Sequence, residues 1–193
     1  MLDTHARKYV QKPIEVTANA LLKVGFTANA VTKLAFIIGI SSGILIYFNE
    51  PYWAVFVLWL SGFLDAVDGT MARNTKTSSW GTLLDISFDR LVEISVILGL
   101  AFRYPNAMWA LLLLSVSIIY AMTIFLTVGA LSDKKGVKSF YYQAGVAERT
   151  EGFILFTLMI MLPKYLVVIT LLFLFLEVFT TMQRLLEARK LLK

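Results

Sequence analysis

Residues 104–132 run for 29 positions without a single charge. As a helix at about 1.5 Å per residue, such a run exceeds 40 Å, against roughly 30 Å for the hydrocarbon core of a bilayer. Inside lipid every backbone N–H and C=O must find a partner within the protein, which a helix supplies from its own turns. Similar runs recur. Residues 34–49 are uncharged between Lys33 and Glu50, and 51–73 begin at Pro51 and run straight into Asp65. A third helix is expected from about Ser79–Gly81 to Arg103, and 104–132 form the fourth. The region 152–190 as one helix would span about 58 Å, nearly twice the hydrocarbon thickness. Pro163-Lys164 in its middle supplies a break and divides it in two.

The sequence therefore predicts an all-α integral membrane protein with six transmembrane helices. Its 193 residues read as one membrane domain, with a juxtamembrane segment at 1–30 and a six-helix bundle at 31–190. Composition agrees: 58% of residues are apolar and only 16% charged, against about a quarter charged in soluble domains. The first residues lack the apolar region and small-residue cleavage site of a secretory signal. Alternation of Ala6, Tyr9 and Val10 with Arg7, Lys8 and Lys12 predicts instead an N-terminal amphipathic juxtamembrane helix over 3–24, kinked at Pro13.

With six spans both termini share a side. That side collects 15 Lys/Arg, and the opposite turns hold two, Arg103 and Lys164. This asymmetry places the termini and the 73–78 and 133–149 loops in the cytoplasm. The net charge of +5 is then read as basic loops facing an anionic leaflet, not as a nucleic-acid surface. The absence of cysteine excludes disulfides, thiol nucleophiles and zinc–thiolate sites, and the lone His5 lies in a charged segment. GISSG at 39–43 matches GxxxG, a pattern that permits close helix packing and is common by chance.

The stretch DAVDGTMARNTKTSSWGTLLDISFD at 65–89 interrupts the apolar pattern with Asp65, Asp68, Asp85 and Asp89. Residues three or four apart share a helix face, so each pair projects from one side of its helix. The short polar turn between the helices makes them antiparallel neighbours, and the pairs can meet. Four carboxylates so close repel one another unless cations or protons intervene. Hard divalent cations favour such oxygen ligands, and two of them would balance four charges. A metal pair beside a membrane suggests chemistry on phosphate. Gly69 and Gly81 would let a ligand approach the backbone, and Arg73 can fork onto a phosphate. A second class is a transporter coupled to cations or protons through the aspartates. It fits less well, because the acids gather near one membrane face and no inverted repeat is visible.

These residues resemble the signature of the CDP-alcohol phosphotransferase (phosphatidyltransferase) family, D-x2-D-G-x2-A-R, seven or eight residues, then G-x3-D-x3-D. Here Asp65, Asp68, Gly69, Ala72, Arg73, Gly81, Asp85 and Asp89 fill every fixed position. TANAVT at 27–32 is similar to the TPN-x-x-T that leads into the family's first span, with Ala28 in place of proline. The resemblance implies a CDP-diacylglycerol donor and two divalent cations, Mg2+ or Mn2+. Asp65, Asp68, Asp85 and Asp89 would be the ligands, and Asp89 also the base. Asp68, Gly69, Ala72, Arg73, Gly81 and Asp85 would line the nucleotide pocket. The hydroxyl of a small alcohol attacks the phosphorus bearing the lipid, and CMP leaves. The resemblance also implies a homodimer in the cytoplasmic membrane.

For the acceptor, 133–151 carries Lys134, Lys135, Lys138 and Arg149. Positive-inside topology explains the lysines as well as acceptor binding does. GVAERTE resembles the G-x-A-E-R element of the inositol-phosphate-using branch, which implies acceptor binding by Arg149; Lys135 of the basic loop is the second acceptor-binding candidate. That branch also carries K-A-R-A-E near the end of helix 4, where this chain reads TVGALSDKK. Inositol phosphate, glycerol phosphate and serine all stay open. Arg90 and Glu93 are expected to form a salt bridge.

Overall fold

The computed structural model describes residues 2–131 and 149–192, with side chains described from Val10 onward. Two compact units result, Leu2–Pro105 and Asn106–Lys193. The first holds four helices, α1 (Leu2–Lys23), α2 (Ala28–Tyr47), α3 (Pro51–Asn74) and α4 (Ser79–Arg103). The second holds α5 (Met108–Leu131), α6 (Arg149–Met161) and α7 (Leu166–Leu191).

Local chemistry sets the boundaries. Gly25, at φ 94°, stops α1 by donating to Leu22 O while Phe26 N donates to Leu21 O. Asn49, at φ 65°, does the same for α2, with Asn49 N on Ile46 O and Glu50 N on Leu45 O. Both are the double hydrogen bond that closes a helix on a left-handed residue. Pro51 opens α3 at a position that has no intrahelical use for an N–H. Thr27 and Ser78 cap α2 and α4, their hydroxyls accepting from Ala30 N and Gly81 N at 3.3 and 3.0 Å. A short 3-10 turn at Pro163–Tyr165 separates α6 from α7, where the sequence places the break.

Among the described residues, four segments are long and apolar enough to cross a membrane: Ala28–Tyr47, Pro51–Asn74, Pro105–Leu131 and Pro163–Leu191. The protein is thus an all-helical integral membrane protein. The other two expected spans differ in kind. α4 has 25 residues but carries Asp85, Asp89, Arg90, Glu93 and Arg103. The 13 residues of α6 reach only about 20 Å.

Within Leu2–Pro105, α2 packs against both α3 and α4. Its contact with α3 is antiparallel: Ser61 Oγ donates to Ala35 O at 2.8 Å and Ser42 Oγ to Ala54 O at 3.0 Å. Its contact with α4 is parallel. Phe36 stacks on Phe88 at 4.2 Å between centroids, and Gly43 lies against the Ser95 backbone, so position n on α2 faces n + 52 on α4. The GISSG stretch is a packing seam. A Cβ on Gly39 would stand 2.5 Å from Ser61 Oγ, and one on Gly43 would strike the Ser95 carbonyl. Interhelical hydrogen bonds in membranes contribute about 0.6 kcal/mol on average. Ser61→Ala is therefore expected to cost about that much and to lower the melting temperature in detergent by about 2 °C. A loss several times larger would mean that Ser61 carries more of the seam than its hydrogen bond.

α1 (Leu2–Lys23) is helical where the sequence expects a helix, and one of its faces is packed against the protein. Ile14 and Ala18 are buried against Val31, Val67 and Met71, with Leu21, Leu22 and Phe63 around them. One face of α1 is thus part of the core and braces the stretch of α3 that bears Asp68. In Asn106–Lys193, α7 packs on α5 and α6, with Phe156 set edge-on to Phe173 at 5.2 Å.

A carboxylate cluster on α3 and α4

Asp65 and Asp68 stand three residues apart on α3, and Asp85 lies in the second turn of α4. One carboxylate oxygen from each lies within 4.8 Å of the other two. Asp68 is buried at 4% exposure, and Asp65 and Asp85 are half-buried. The α3–α4 turn is short, so the acids at its two sides meet. α2 holds both helices, while α3 and α4 touch each other little among the described residues.

The donor set fits a hard divalent cation. Oxygens bonded to one ion at about 2.1–2.5 Å are separated by roughly 3–5 Å, which the observed spacing meets. Three carboxylates this close repel without a cation, and an ion removes that repulsion. Asp89 sits one turn further along α4, half-buried and outside the group of three. Its separation from Asp85 by four residues keeps it on the same face but about 6 Å along the axis.

The remaining signature residues surround this cluster unequally. At Gly69 an added Cβ would meet Arg73 Nη1 at 3.4 Å and nothing closer among the described residues. Arg73 is exposed near the end of α3, and its Nη2 donates to Thr70 Oγ1 at 2.8 Å. Ala72 is half-buried. Gly81 is not open: a Cβ there would lie 3.0 Å from Asn29 Oδ1 and 3.1 Å from Ser78 Oγ. The expected salt bridge of Arg90 and Glu93 is present at 2.6 Å.

Arg149 opens α6 in the second unit, half-buried, with its guanidinium 5.5 Å over the Phe153 ring. Lys135, with Lys134 and Lys138, lies outside the described residues. The sequence reading missed two residues. Asn29 gave no signal of contact with Gly81, its partner 52 positions away. Arg184, counted among the basic tail, is buried at 9% exposure with its guanidinium 5.2 Å over Phe125.

Apolar membrane-length helices, one of which meets α4 at three carboxylates placed to hold a metal ion, define a membrane protein with a candidate cation site. The CDP-alcohol phosphatidyltransferase family profile matches residues 26–185, and the chain belongs to that family. It is 30% identical over 177 residues to the inner membrane protein YnjF of Escherichia coli, covering 86% of this chain and 84% of that one. It is 35% identical over 96 residues to archaetidylinositol phosphate synthase of Pyrococcus horikoshii, covering 49% of this chain and 51% of that protein. The matched region thus spans about half the length of the archaeal relative. The fold is shared with the phosphatidylinositol phosphate synthase (PgsA1) of Mycobacterium tuberculosis crystallised with CDP-DAG. The TM-score there is 0.77 at 24% identity, covering 91% of this chain and 92% of that one. A second crystal structure of the same protein, in complex with manganese and citrate, gives a TM-score of 0.76 at 24% identity, covering 91% and 88%.

Proposed function

We propose that the protein transfers a phosphatidyl group from CDP-diacylglycerol to the hydroxyl of a small polar alcohol and releases CMP. The observation that carries this reading is the convergence of Asp65, Asp68 and Asp85 oxygens within 4.8 Å inside a complete family signature. Two divalent cations, Mg2+ or Mn2+, held by these residues and Asp89, would neutralise phosphoryl oxygens and acidify the acceptor hydroxyl. Asp89, one turn from the cluster, takes the proton as the acceptor oxygen bonds to phosphorus and the bond to CMP breaks. Asp68, Gly69, Ala72, Arg73, Gly81 and Asp85 line the nucleotide side, where the exposed Arg73 offers a charge-assisted fork to a phosphate.

The acceptor class that Arg149 favours is a phosphorylated alcohol, with Lys135 as a second cation. The name of the archaeal relative supports it, while the missing K-A-R-A-E element counts against inositol phosphate itself as the acceptor. The whole chain works as one six-span domain with α1 at the inner leaflet, its termini and site cytoplasmic, and as a homodimer. The bias of basic residues supports the orientation.

Purified protein should release CMP from CDP-diacylglycerol only with magnesium or manganese and an acceptor alcohol; no release under any acceptor would overturn the reading. Arg149→Ala should raise the KM of the acceptor about tenfold or more, in line with the loss of one charge-assisted hydrogen bond, and leave the donor KM near its original value. An equal rise in both would remove Arg149 from acceptor binding.

A further inference from the structure

Among the described residues, Gly81 is the more crowded of the two signature glycines. A Cβ there would meet Asn29 Oδ1 at 3.0 Å and Ser78 Oγ at 3.1 Å, whereas one at Gly69 would meet Arg73 Nη1 at 3.4 Å. Ser78 is there because it caps α4. Asn29 arrives from a different helix, and its place follows the parallel register of α2 and α4. Asn29 faces Gly81, Phe36 faces Phe88 and Gly43 faces Ser95, three rungs seven residues apart at the same offset. The two deeper rungs are an aromatic stack and a backbone contact. The first is polar and lies one turn before Asp85.

That position matters because α3 is tied to the same α2, through Ser61 and Ser42. The height of α4 along α2 therefore sets the height of Asp85 against Asp65 and Asp68. A slide of one residue is about 1.5 Å, while metal–ligand distances hold within about 0.2 Å. We infer that Asn29 is a positioning residue for the transfer site: its carboxamide seats Gly81 against α2 and fixes the axial register of α4, and with it Asp85. The inference rests on the transferase reading only where activity is measured; the cluster geometry carries the rest.

A double-mutant cycle on the full chain in detergent tests it, using Asn29→Ala, Gly81→Ala and the pair. Each is read by Mn2+ affinity without lipid and by CMP release from CDP-diacylglycerol. Gly81→Ala is expected to weaken Mn2+ binding about tenfold or more, the scale of a lost support behind a metal ligand. Asn29→Ala alone weakens it a few-fold. In the double variant the new methyl enters the vacated space, and most of the Gly81→Ala loss is recovered. Strict additivity, or a double variant worse than Gly81→Ala, overturns the inference. If Gly81→Ala does not fold, recovery of a folded, Mn2+-binding protein in the double variant supports it, and failure of both overturns it. Absence of CMP release from the unmodified protein would sink the transferase reading, while the Mn2+ cycle would still decide the role of Asn29.

Discussion

Asp68→Asn is expected to lower CMP release from CDP-diacylglycerol by about a thousandfold or more, equivalent to about 4 kcal/mol in the barrier. Asp68 is the most buried member of the cluster, at 4% exposure, so water is poorly placed to replace its lost charge. The same change should act on stability with opposite signs in two conditions. In EDTA the variant loses one of three mutually repelling carboxylates. It should melt higher than the unmodified protein, by about 1 kcal/mol of stability. With Mn2+ the unmodified protein gains the binding linkage, about 2.7 kcal/mol at a hundredfold excess over Kd, and the variant gains little. The two melting curves should therefore cross in order as Mn2+ is added. Asp89→Asn separates the roles further: turnover is lost, while most of the Mn2+ stabilisation survives, because Asp89 stands outside the group of three. If Asp68→Asn melts lower in EDTA and still responds to Mn2+, the three carboxylates are a structural network and not a cation site.

What the sequence made readable followed local rules. Aspartates in otherwise apolar runs stand out because charge near a membrane is costly. Pro51 and Pro163 mark boundaries through backbone chemistry that needs no partner elsewhere, and the observed breaks fall where those residues place them. Spacing by three and four put Asp65, Asp68 and Asp85 on meeting faces. The features that stayed hidden depend on residues remote in the chain. Nothing in Ile14 and Ala18 says that Val67 and Met71 will cover them, so α1 reads as a surface helix although one face is core. Nothing in Gly81 says that Asn29, 52 positions earlier, will stand 3.0 Å from where its Cβ would be. Arg184 is one more basic residue of a tail until burial beside Phe125 sets it apart. GISSG matches a pattern too common to trust, and only the facing Ser95 and Gly99 show it to be a seam.

That seam yields the second large effect. A Cβ on Gly43 would collide with the carbonyl oxygen and carbon of Ser95, and a Cβ on Gly99 would collide with the Gly43 carbonyl. Both obstacles are backbone, which cannot rotate aside as a side chain can, so α2 and α4 must part. Gly43→Ala is expected to cost about 3 kcal/mol, the upper part of the range for overpacking, although alanine is the better helix former. Gly152→Ala supplies the contrast. Its Cβ would meet only Phe173 Cζ at an ordinary 3.5 Å, and the change should be neutral or stabilising by up to about 1 kcal/mol. Thermal unfolding in detergent compares the two directly. The damage should also reach the metal site, since Gly43 lies on the helix that holds α3 and α4 in place. Mn2+ affinity should fall in Gly43→Ala and stay unchanged in Gly152→Ala. Equal melting temperatures for the two variants would mean that α2 and α4 are not in backbone contact at Gly43.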